Sequence, residues 1–345
     1  MSSYANFLGP EGFGCYEVDW SQGPPTRRVE SQPDYTLVPG FVDIHMHGAF
    51  GIDFMDASSA ELLSLCERLA GQGYEAFLPT TITAPADEVL RAISHLPEHP
   101  MIAGFHLEGP FISPKYPGAQ PIEHIAGLDS AGWASVLGHP QLRIITLAAE
   151  LPGSGDLVKE LSSRGVVVSL GHTDATYAQC EGAKTAGARH MTHTFNAMRP
   201  LHHREPGSVG FALASDDISC ELIYDRTHVS KEAAGLLLKN KQPDKLIAVS
   251  DSSRATGLPD GAELSMWGHE CIVRDGSVRI RASGALAGST ITLLDAFRNL
   301  AEDFGPEIAI RACSHNPRRA LDLQQPRVFL EMNRRWEIAG TRTLS

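Results

Sequence analysis

Short apolar runs alternate with helical patterns along most of the 345-residue chain, and this alternation constrains the fold more than any other feature. Parallel strands that are covered by helices on both faces are continuously hydrophobic. Eight such runs occur, at Phe41–His45, Ala76–Pro79, Ile102–Leu107, Leu142–Ala148, Val166–Leu170, His190–Thr194, Cys220–Tyr224 and Leu246–Ser250. Eight strands with intervening helices predict an α/β fold, a (β/α)8 TIM-type barrel.

Helical patterns separate most of these runs, at Ala60–Ala70, Ala86–His95, Gly155–Ser163, Ala175–Ala186 and Lys231–Asn240. Serine is a favoured cap at a helix N-terminus. Ser58 or Ser59 is therefore the expected cap of the first helix, and Ser230 that of the last. Beyond the eighth run, Thr290–Phe304 and Pro306–Cys313 are also predicted to be helical.

Both chain ends and one internal segment break this rhythm. Their short β-like segments include Leu264–Trp267, Glu270–Val273, Val278–Arg281, Val328–Met332 and Trp336–Ala339. We predict a small β domain built from residues 1–39 and 326–345, joined by an insertion at residues 260–285. The barrel is then expected to occupy residues 40–259, with barrel-closing helices in residues 286–325.

Charge and cysteine content exclude several classes of partner and suggest a compartment. The net charge of −12 disfavours nucleic acid and anionic membranes, which need clustered cations, although a small phosphate remains compatible. No run approaches the roughly 20 apolar residues of a membrane helix, and the N-terminus does not resemble a secretory signal. Six widely spaced cysteines without a CxxC pair suggest reduced thiols and a cytoplasmic protein.

Histidines and acids follow the predicted strands at the points where those strands end. The residues are His45 and His47 on the first strand, Glu108, His172, His193, and Asp251 after the eighth strand. In a barrel of this type, side chains at the C-terminal ends of the strands form the active site. Side chains alternate along a strand, so His45 and His47 are expected to point to the same side.

These residues predict a catalytic metal site rather than isolated core histidines. A lone buried histidine is more often a hydrogen-bonded core residue, but independent coincidence at several strand ends is a poor explanation. Glu108, His172 and His193 supply one carboxylate and two imidazoles, which leaves an open coordination position. Zn²⁺ is the expected ion, and such sites also accept Fe, Mn or Co. His45 and His47 either bind a second ion, with Glu108 bridging, or orient the substrate and the first ligands.

Several segments resemble the N-acetylglucosamine-6-phosphate deacetylases, a branch of the amidohydrolase superfamily. The matching segments, in the family's order and spacing, are Val38–Gly48, His106–Phe111, Leu170–Tyr177, Thr192–Met198, His203–Gly207, Ala255–Gly261 and Leu286–Ser289. The resemblance implies removal of the acetyl group from a 6-phosphorylated N-acetyl amino sugar. It also implies one or two divalent ions per chain, with Glu108, His172 and His193 as the primary ligands.

The resemblance further assigns the catalytic base and the substrate contacts. Asp251 matches the catalytic aspartate, which would take a proton from a metal-activated water and deliver it to the leaving amine. Asn196, Ala197 and Arg204 match the phosphate site, and His228 matches a contact to the sugar hydroxyls. In the family's homodimers this arginine reaches the neighbouring subunit's site, so Arg204 is expected to act across a dimer interface.

Several positions depart from the family's pattern, among them Ser252, Ser253 and Arg254 beside Asp251, and the C-terminal tail is shorter than the family's. Three further departures bear on the sugar and keep alternatives open. Gln120 stands where the family usually has a histidine that contacts the sugar, while Tyr224 and Arg226 replace small residues near His228. These departures leave open N-acetylgalactosamine 6-phosphate, or another acylated amine, as the substrate. A non-catalytic sugar-phosphate binding protein is the alternative of another class, although a binding module does not need the base Asp251.

Overall fold

The computed structural model describes residues 3–129 and 132–344. Residues 1–2 and 345, which belong to the β segments predicted at the chain ends, lie outside these ranges. The strands are β1 (Ser3–Gly9), β2 (Gly12–Val18), β3 (Tyr35–Pro39), β4 (Phe41–Met46), β5 (Gly48–Ala49), β6 (Ile52–Asp53), β7 (Tyr74–Pro79), β8 (Phe105–Glu108), β9 (Leu142–Leu147), β10 (Val167–Leu170), β11 (His190–Met191), β12 (Ser219–Ile223), β13 (Leu246–Val249), β14 (Glu263–Met266), β15 (His269–Arg274), β16 (Ser277–Ile280), β17 (Val328–Met332) and β18 (Ile338–Thr343). The α-helices are α1 (Ser59–Gly71), α2 (Ala86–Ser94), α3 (Ala134–Leu137), α4 (Ser154–Ser163), α5 (Tyr177–Ala186), α6 (Gly207–Ala214), α7 (Lys231–Asn240), α8 (Leu293–Phe304), α9 (Pro306–Ile310) and α10 (Asn316–Ala320).

The predicted parallel strands are confirmed, with small shifts at their ends. Strands β8 to β13 form one parallel sheet in chain order, and β4 pairs in parallel with β7. Every residue of β4, β8 and β13 is buried, which agrees with their continuous apolar runs. Strand β11 is shorter than expected because the backbone leaves the extended region by His193, whose φ is 27°.

The two groups of parallel strands lie side by side as one curled layer. Isolated parallel bridges join Phe77 to Ile102 and Thr80 to His106, between β7 and β8. On the other side, the backbone N–H of Asp251, just after β13, donates to the carbonyl oxygen of His45 on β4 at 2.9 Å. The C-terminal ends of all these strands therefore open towards one region of the molecule.

Side chains of the parallel strands pack into two separate cores, one on each side of the layer. The larger core fills the space between the strands and the surrounding helices. Alternate residues such as Val42 and Ile44 of β4, or Ile247 and Val249 of β13, form the second core with Leu321. This alternation follows from the two-residue period of a strand and places one core inside the curl.

The helix boundaries follow capping signals in the sequence. Ser58 accepts from the backbone N–H of Glu61 and Glu61 returns a hydrogen bond to Ser58, a capping box that begins α1. Ser230 caps α7, as predicted. Helix α6 was not predicted because it begins after Pro206 without a side-chain cap and has a nearly uniform apolar surface. With α6 and the short α3, each of the strands β7 to β12 is connected to the next by a segment that contains an α-helix. Helix α1 follows the β5–β6 hairpin, between β4 and β7.

Both chain ends contribute to one mixed sheet, as expected, but the insertion does not join it. That sheet has the order β18-β17-β3-β1-β2. Strands β14 to β16 instead pair only with one another, as an antiparallel three-stranded sheet. The prediction that the insertion completes the chain-end sheet is therefore wrong. Its apolar side chains form a small core of their own with Ala255 and Ala287, close to the C-terminal ends of the parallel strands.

The C-terminal helical region was predicted with one interruption and has a further one. Helix α8 ends before Gly305, and Pro306 begins α9. A π-helical turn at Arg311–His315 then links α9 to α10. Pro317 lacks the N–H that would continue the α-helical pattern into this turn, which accounts for the wider hydrogen bonding. In the described ranges we find no helix with the length and hydropathy that crossing a membrane requires.

Candidate metal centre and substrate cavity

The side chains predicted to bind metal converge where the parallel strands end. Glu108 is the last residue of β8, while His172, His193 and Asp251 lie two residues beyond β10, β11 and β13. All four are buried. His172, His193 and Asp251 also have positive φ angles of 44°, 27° and 47°. A backbone conformation of this kind destabilises the folded protein by about 1–3 kcal/mol per residue, and it is concentrated at functional sites. These turns therefore orient the side chains at the expense of stability.

Glu108, His172 and His193 form a compact group of metal-ligating atoms. Glu108 Oε1 lies 3.3 Å from His172 Nε2 and 3.1 Å from His193 Nε2. The two Nε2 atoms are 3.1 Å apart. His172 donates its Nδ1 proton to the carbonyl oxygen of Tyr116 at 2.8 Å, which leaves the Nε2 lone pair facing the group.

His45, His47 and Asp251 form a second group of this kind beside the first. Asp251 Oδ1 is 3.4 Å from His45 Nε2 and 3.3 Å from His47 Nε2. Glu108 lies between the groups, because its Oε1 is 3.3 Å from His45 Nε2 and its Oε2 is 3.3 Å from His47 Nε2. His45 and His47 therefore do point to the same side. His45 Nε2 is buried and has no hydrogen-bond partner, as expected of an atom placed to bind a cation.

The electrostatics of both groups favour positive charge at their centre. Burial raises the pKa of the Glu108 carboxyl, but the charge of His45 and hydrogen bonds from the histidines hold that pKa well below its ordinary value. The pKa of Asp251 is likewise lowered, because contacts with His47 and His45 outweigh its burial. Burial lowers the pKa of His47, yet the Asp251 and Glu108 carboxylates raise it to about 9. Ionised carboxylates thus attract a proton or a metal ion to this centre.

A cavity of about 230 Å³ opens onto the two groups. It is lined by His47, Ile82, Glu108, Gly118, Ala119, Gln120, His172, His193, Asn196, Ala197, Ile223, His228, Asp251, Trp267, Ala285, Leu286 and Gly288. Four of the predicted substrate contacts, Asn196, Ala197, His228 and Gln120, are therefore brought to the predicted metal ligands. A small polar ligand would contact the candidate ligands and these residues at the same time.

Arg204 is the predicted substrate residue that does not reach this cavity. Its side chain is exposed and its Nη1 lies 2.9 Å from Nε2 of the neighbouring His203. Glu205 does not pair with it in the described ranges and instead accepts from the backbone N–H groups of Tyr177 and Gly207. Within one chain, Arg204 therefore does not line the cavity with the candidate metal ligands.

The departures from the family's pattern differ in their consequences. Gln120 does face the cavity, where its Nε2 donates to Glu108 Oε2 at 2.6 Å and its Oε1 accepts from the Thr83 backbone at 2.7 Å. Arg226 does not: its guanidinium pairs with Asp303 and Glu302 on α8. The Tyr224 hydroxyl also donates to Asp303, at 2.9 Å. The expectation that Arg226 alters the sugar-facing rim is therefore wrong, because its positive φ of 63° and its acidic partners turn it to the outer surface.

Two further residues at this site were not predicted. Glu221, fully buried on β12, accepts from His45 Nδ1 at 3.0 Å and from the His193 backbone N–H at 3.1 Å. Trp267, at the β14–β15 turn, packs edge-on against His47 with 5.0 Å between ring centroids and lines the cavity. Its Nε1 donates to buried Asp53 at 3.0 Å. The signal for Glu221 was a charged residue inside an otherwise apolar strand.

A carboxylate and histidines that could bind a metal, placed where the strands of a parallel α/β layer end, fit the amidohydrolase class of metal-dependent hydrolases. A model of the amidohydrolase family matches residues 36–326. The chain is 39% identical to the N-acetylglucosamine-6-phosphate deacetylase of Bacillus subtilis over 292 residues, covering 81% of this chain and 73% of that protein. It is 36% identical to the N-acetylgalactosamine-6-phosphate deacetylase of Escherichia coli O157:H7, covering 83% of this chain and 78% of the relative.

Solved structures of N-acetylglucosamine-6-phosphate deacetylases also superpose on this chain. The N-acetylglucosamine-6-phosphate deacetylase of Thermotoga maritima superposes with a TM-score of 0.89 at 29% identity, covering 99% of this chain and 98% of that one. A variant of the Mycobacterium smegmatis enzyme in complex with N-acetyl-D-glucosamine 6-phosphate superposes with a TM-score of 0.86 at 27% identity and the same coverage. The chain belongs to the N-acetylglucosamine-6-phosphate deacetylase branch of the amidohydrolase family.

Proposed function

We propose that the protein hydrolyses the acetamide of N-acetylglucosamine 6-phosphate, giving acetate and glucosamine 6-phosphate. The observation that carries this proposal is the group Glu108, His172 and His193, which shares one cavity with the carboxylate of Asp251. A hydrolase of amide C–N bonds needs an activated water, a polarised carbonyl and a proton donor for the departing amine. Relatives that share 32–39% identity with the chain carry this activity in their names.

The residues fit a resident divalent cation. The donor set of one carboxylate and two imidazoles with an open position is that of a catalytic site. We assign Glu108, His172 and His193 to the first ion, and His45, His47 and Asp251 to a second. When bound, such an ion lowers the pKa of a water molecule towards neutrality and polarises the acetyl carbonyl. Zn²⁺ is our expected ion, and Fe, Mn or Co suit the same ligands.

Asp251 is the general base and acid of this proposal. Its pKa lies below the ordinary value, so it is ionised near neutral pH and able to accept a proton from the attacking water. The protonated carboxyl then delivers that proton to the sugar nitrogen, since an amine leaves only when protonated. Asp251 is held for this task by its backbone N–H bond to the His45 carbonyl oxygen at 2.9 Å.

The sugar phosphate is held at the rim of the cavity. We assign the phosphate to Asn196 and Ala197, whose residues line the cavity, and to Arg204 of a second copy. His228 is assigned to the sugar hydroxyls. Its Nδ1 donates to Asp225 at 2.7 Å, which orients Nε2 as an acceptor. Gln120 completes the wall beside Glu108. The protein is then a homodimer, because Arg204 does not reach the cavity of its own chain.

N-Acetylgalactosamine 6-phosphate is the second candidate substrate. The 36% identical relative from Escherichia coli O157:H7 is named for that sugar. The epimers differ at one hydroxyl, and Gln120 stands where the family's sugar-contacting histidine is usual. With its amide oxygen and nitrogen already bonded to Thr83 and Glu108, Gln120 offers the sugar less than a histidine would.

The barrel architecture, the organisation of the chain and the cellular compartment of the protein are also proposed. We propose that the parallel strands close into a (β/α)8 barrel, supported by the backbone bond between Asp251 and His45 across β13 and β4. We propose that the chain is organised in five segments, at residues 1–39, 40–259, 260–285, 286–325 and 326–345. The six free cysteines, five of them buried, favour a reducing cytoplasm.

An acetate-release assay tests the proposed function. Purified protein loaded with Zn²⁺ is supplied with the 6-phosphates of N-acetylglucosamine, N-acetylgalactosamine and N-acetylmannosamine side by side, and acetate and free amine are both quantified. We expect equal amounts of the two products, formed fastest from the N-acetylglucosamine ester. Tight binding of these esters without acetate release would identify a non-catalytic binding protein instead. Faster release from an unphosphorylated amide would indicate another amidohydrolase substrate.

A further inference from the structure

Glu221 is a buried carboxylate whose presence is not explained by folding. It lies on β12 inside the parallel layer and is completely inaccessible to solvent. No lysine or arginine in the described ranges pairs with it, and its Oε1 has no hydrogen-bond partner. Removing a carboxylate from water costs several kcal/mol unless the protein compensates for it. A charge placed here at such a cost indicates a task at the metal centre.

Both contacts of Glu221 are made by residues of the metal centre. Its Oε2 accepts from His45 Nδ1 at 3.0 Å and from the backbone N–H of His193 at 3.1 Å. One carboxylate oxygen therefore joins the two groups of candidate ligands.

The contact with Glu221 decides which nitrogen of His45 can bind a cation. Because a carboxylate only accepts, the proton must sit on Nδ1 of His45, and the lone pair of the neutral ring is then on Nε2. That atom is buried without a partner and lies 3.3 Å from Glu108 Oε1 and 3.4 Å from Asp251 Oδ1. A lone pair facing two carboxylate oxygens is repulsive unless a proton or a metal ion lies among them, so this atom is placed to bind one of the two.

His45 also differs from the other candidate ligands in the strength of its partner. The Nδ1 protons of His47 and His172 are donated to backbone carbonyl oxygens, those of Thr80 and Tyr116. Of these three histidines, only His45 donates its Nδ1 proton to a carboxylate, that of Glu221. A carboxylate partner raises the basicity of a ligating imidazole more than a carbonyl does, and such outer partners change metal affinity by about 10–100-fold.

We infer that Glu221 is a positioning residue that fixes the His45 tautomer and thereby sets the occupancy of a second divalent cation held by His45, His47 and Asp251. The inference rests on the proposed metal centre and deepens it. Glu221 does not line the cavity, so it acts through His45. The second ion is then bound less tightly when this carboxylate is removed.

Metal content and affinity, measured on the metal-loaded full chain, test the inference. Glu221→Leu removes the acceptor and Glu221→Gln keeps a neutral one of the same shape. Glu75→Gln is the matched control, because the Glu75 carboxylate binds Arg318 and the backbone of Val328, away from the cavity. We measure ions per chain by mass spectrometry, stepwise affinity by chelator competition, and magnetic coupling in the Mn²⁺-loaded protein.

The expected result is two ions per chain and a spin-coupled Mn²⁺ pair in the wild type. Glu221→Leu should weaken one ion by about 10–100-fold and abolish the coupling while the other ion stays bound. Glu221→Gln should lie between Leu and wild type, and Glu75→Gln should match wild type. If Glu221→Leu does not fold, the Gln variant alone decides.

Either of two results overturns the inference: a wild type with a single ion, or Glu221 variants that bind two coupled ions with wild-type affinity. Acetate release separates this inference from the proposed function. A wild type that carries one ion but releases acetate refutes the role of Glu221 alone. A wild type with two ions that releases no acetate refutes the proposed reaction alone.

Discussion

Gln120 donates from Nε2 to Oε2 of Glu108 at 2.6 Å, so a residue predicted to face the sugar also holds the central carboxylate of the proposed metal centre. The bond orients the Glu108 carboxylate, whose Oε1 faces three histidines and whose Oε2 also lies 3.3 Å from His47 Nε2. Thr83 anchors the other end of the Gln120 amide through its backbone N–H at 2.7 Å. The departure from the family's usual histidine therefore retains a polar side chain with a defined structural partner.

Replacing Gln120 by Leu should weaken metal binding. Glu108 loses the amide donor that positions its Oε2, and loss of such a partner costs about 10–100-fold in metal affinity. Chelator competition on the purified variant measures the change. Gln242→Leu, at an exposed position, is the control and should bind metal like the wild type. Unchanged affinity in Gln120→Leu would mean that the contact does not support Glu108.

Replacing Asp251 by Asn should remove turnover while leaving the first ion bound. The amide cannot accept the proton of the attacking water, and loss of a general base costs about 10²–10⁴-fold in kcat. Steady-state acetate release and metal analysis check both parts. Asp275→Asn, in an exposed turn, should retain wild-type kcat. A kcat for Asp251→Asn near that of the wild type would exclude Asp251 as the base.

Replacing Arg204 by Ala should impair phosphorylated substrates selectively. Hydrogen bonds to a charged group contribute about 1.5–3 kcal/mol each, which corresponds to an increase of about 10–100-fold in KM. The unphosphorylated sugar should show little change, and Arg335→Ala serves as the exposed control. The same change in KM for both sugars would remove Arg204 from the phosphate site.

Mixing subunits tests whether Arg204 acts across a dimer interface. At a substrate concentration far below KM, Asp251→Asn chains alone should be almost inactive, and Arg204→Ala chains alone should keep about 1–10% of wild-type activity. In a statistical mixture, half of the dimers contain one of each, and one of their two sites has both wild-type groups. Activity should then recover to about a quarter of wild type after exchange. No recovery in verified mixed dimers would show that Arg204 does not complete a neighbouring site.

His315, in the π-helical turn, should make the fold sensitive to acid. Burial and the charges of Arg311, Arg318 and Arg319 lower the pKa of His315 from 6.5 to about 4. His315 then binds a proton more readily in the unfolded chain than in the folded protein. The stability that neutral His315 contributes is therefore present above about pH 6.5 and is lost as the pH falls towards about 4. The glutamine of His315→Gln cannot titrate. Across this pH range, the free energy of unfolding of the variant should therefore fall by up to about 3 kcal/mol less than that of the wild type.

Urea unfolding at about pH 7 and about pH 4.5 measures this difference, with His124→Gln as a control at an exposed position. The control should lose stability in parallel with the wild type. Parallel loss in His315→Gln as well would mean that His315 titrates normally in the folded protein.

The sequence predicts the metal centre more completely than its surroundings, for physical reasons. Polar residues directly after buried apolar runs can be recognised in the sequence. The topology of parallel strands then brings Glu108, His172 and His193 together. Glu221 escapes this reasoning because its partner, His45, is 176 residues away in the chain. The directions of Arg226 and Gln120 depend on acidic and amide partners that are distant in sequence. Pairing of the β14–β16 insertion likewise depends on its own apolar core rather than on its strand propensities.

Metal reconstitution tests the central claim most directly. The protein is stripped with a chelator, then titrated with Zn²⁺ while acetate release from N-acetylglucosamine 6-phosphate and ions bound per chain are followed together. We predict no turnover without metal and recovery in proportion to bound ions, with Glu108→Gln failing to recover. Turnover by the stripped protein at the rate of the loaded one, or full recovery by Glu108→Gln, would contradict the account.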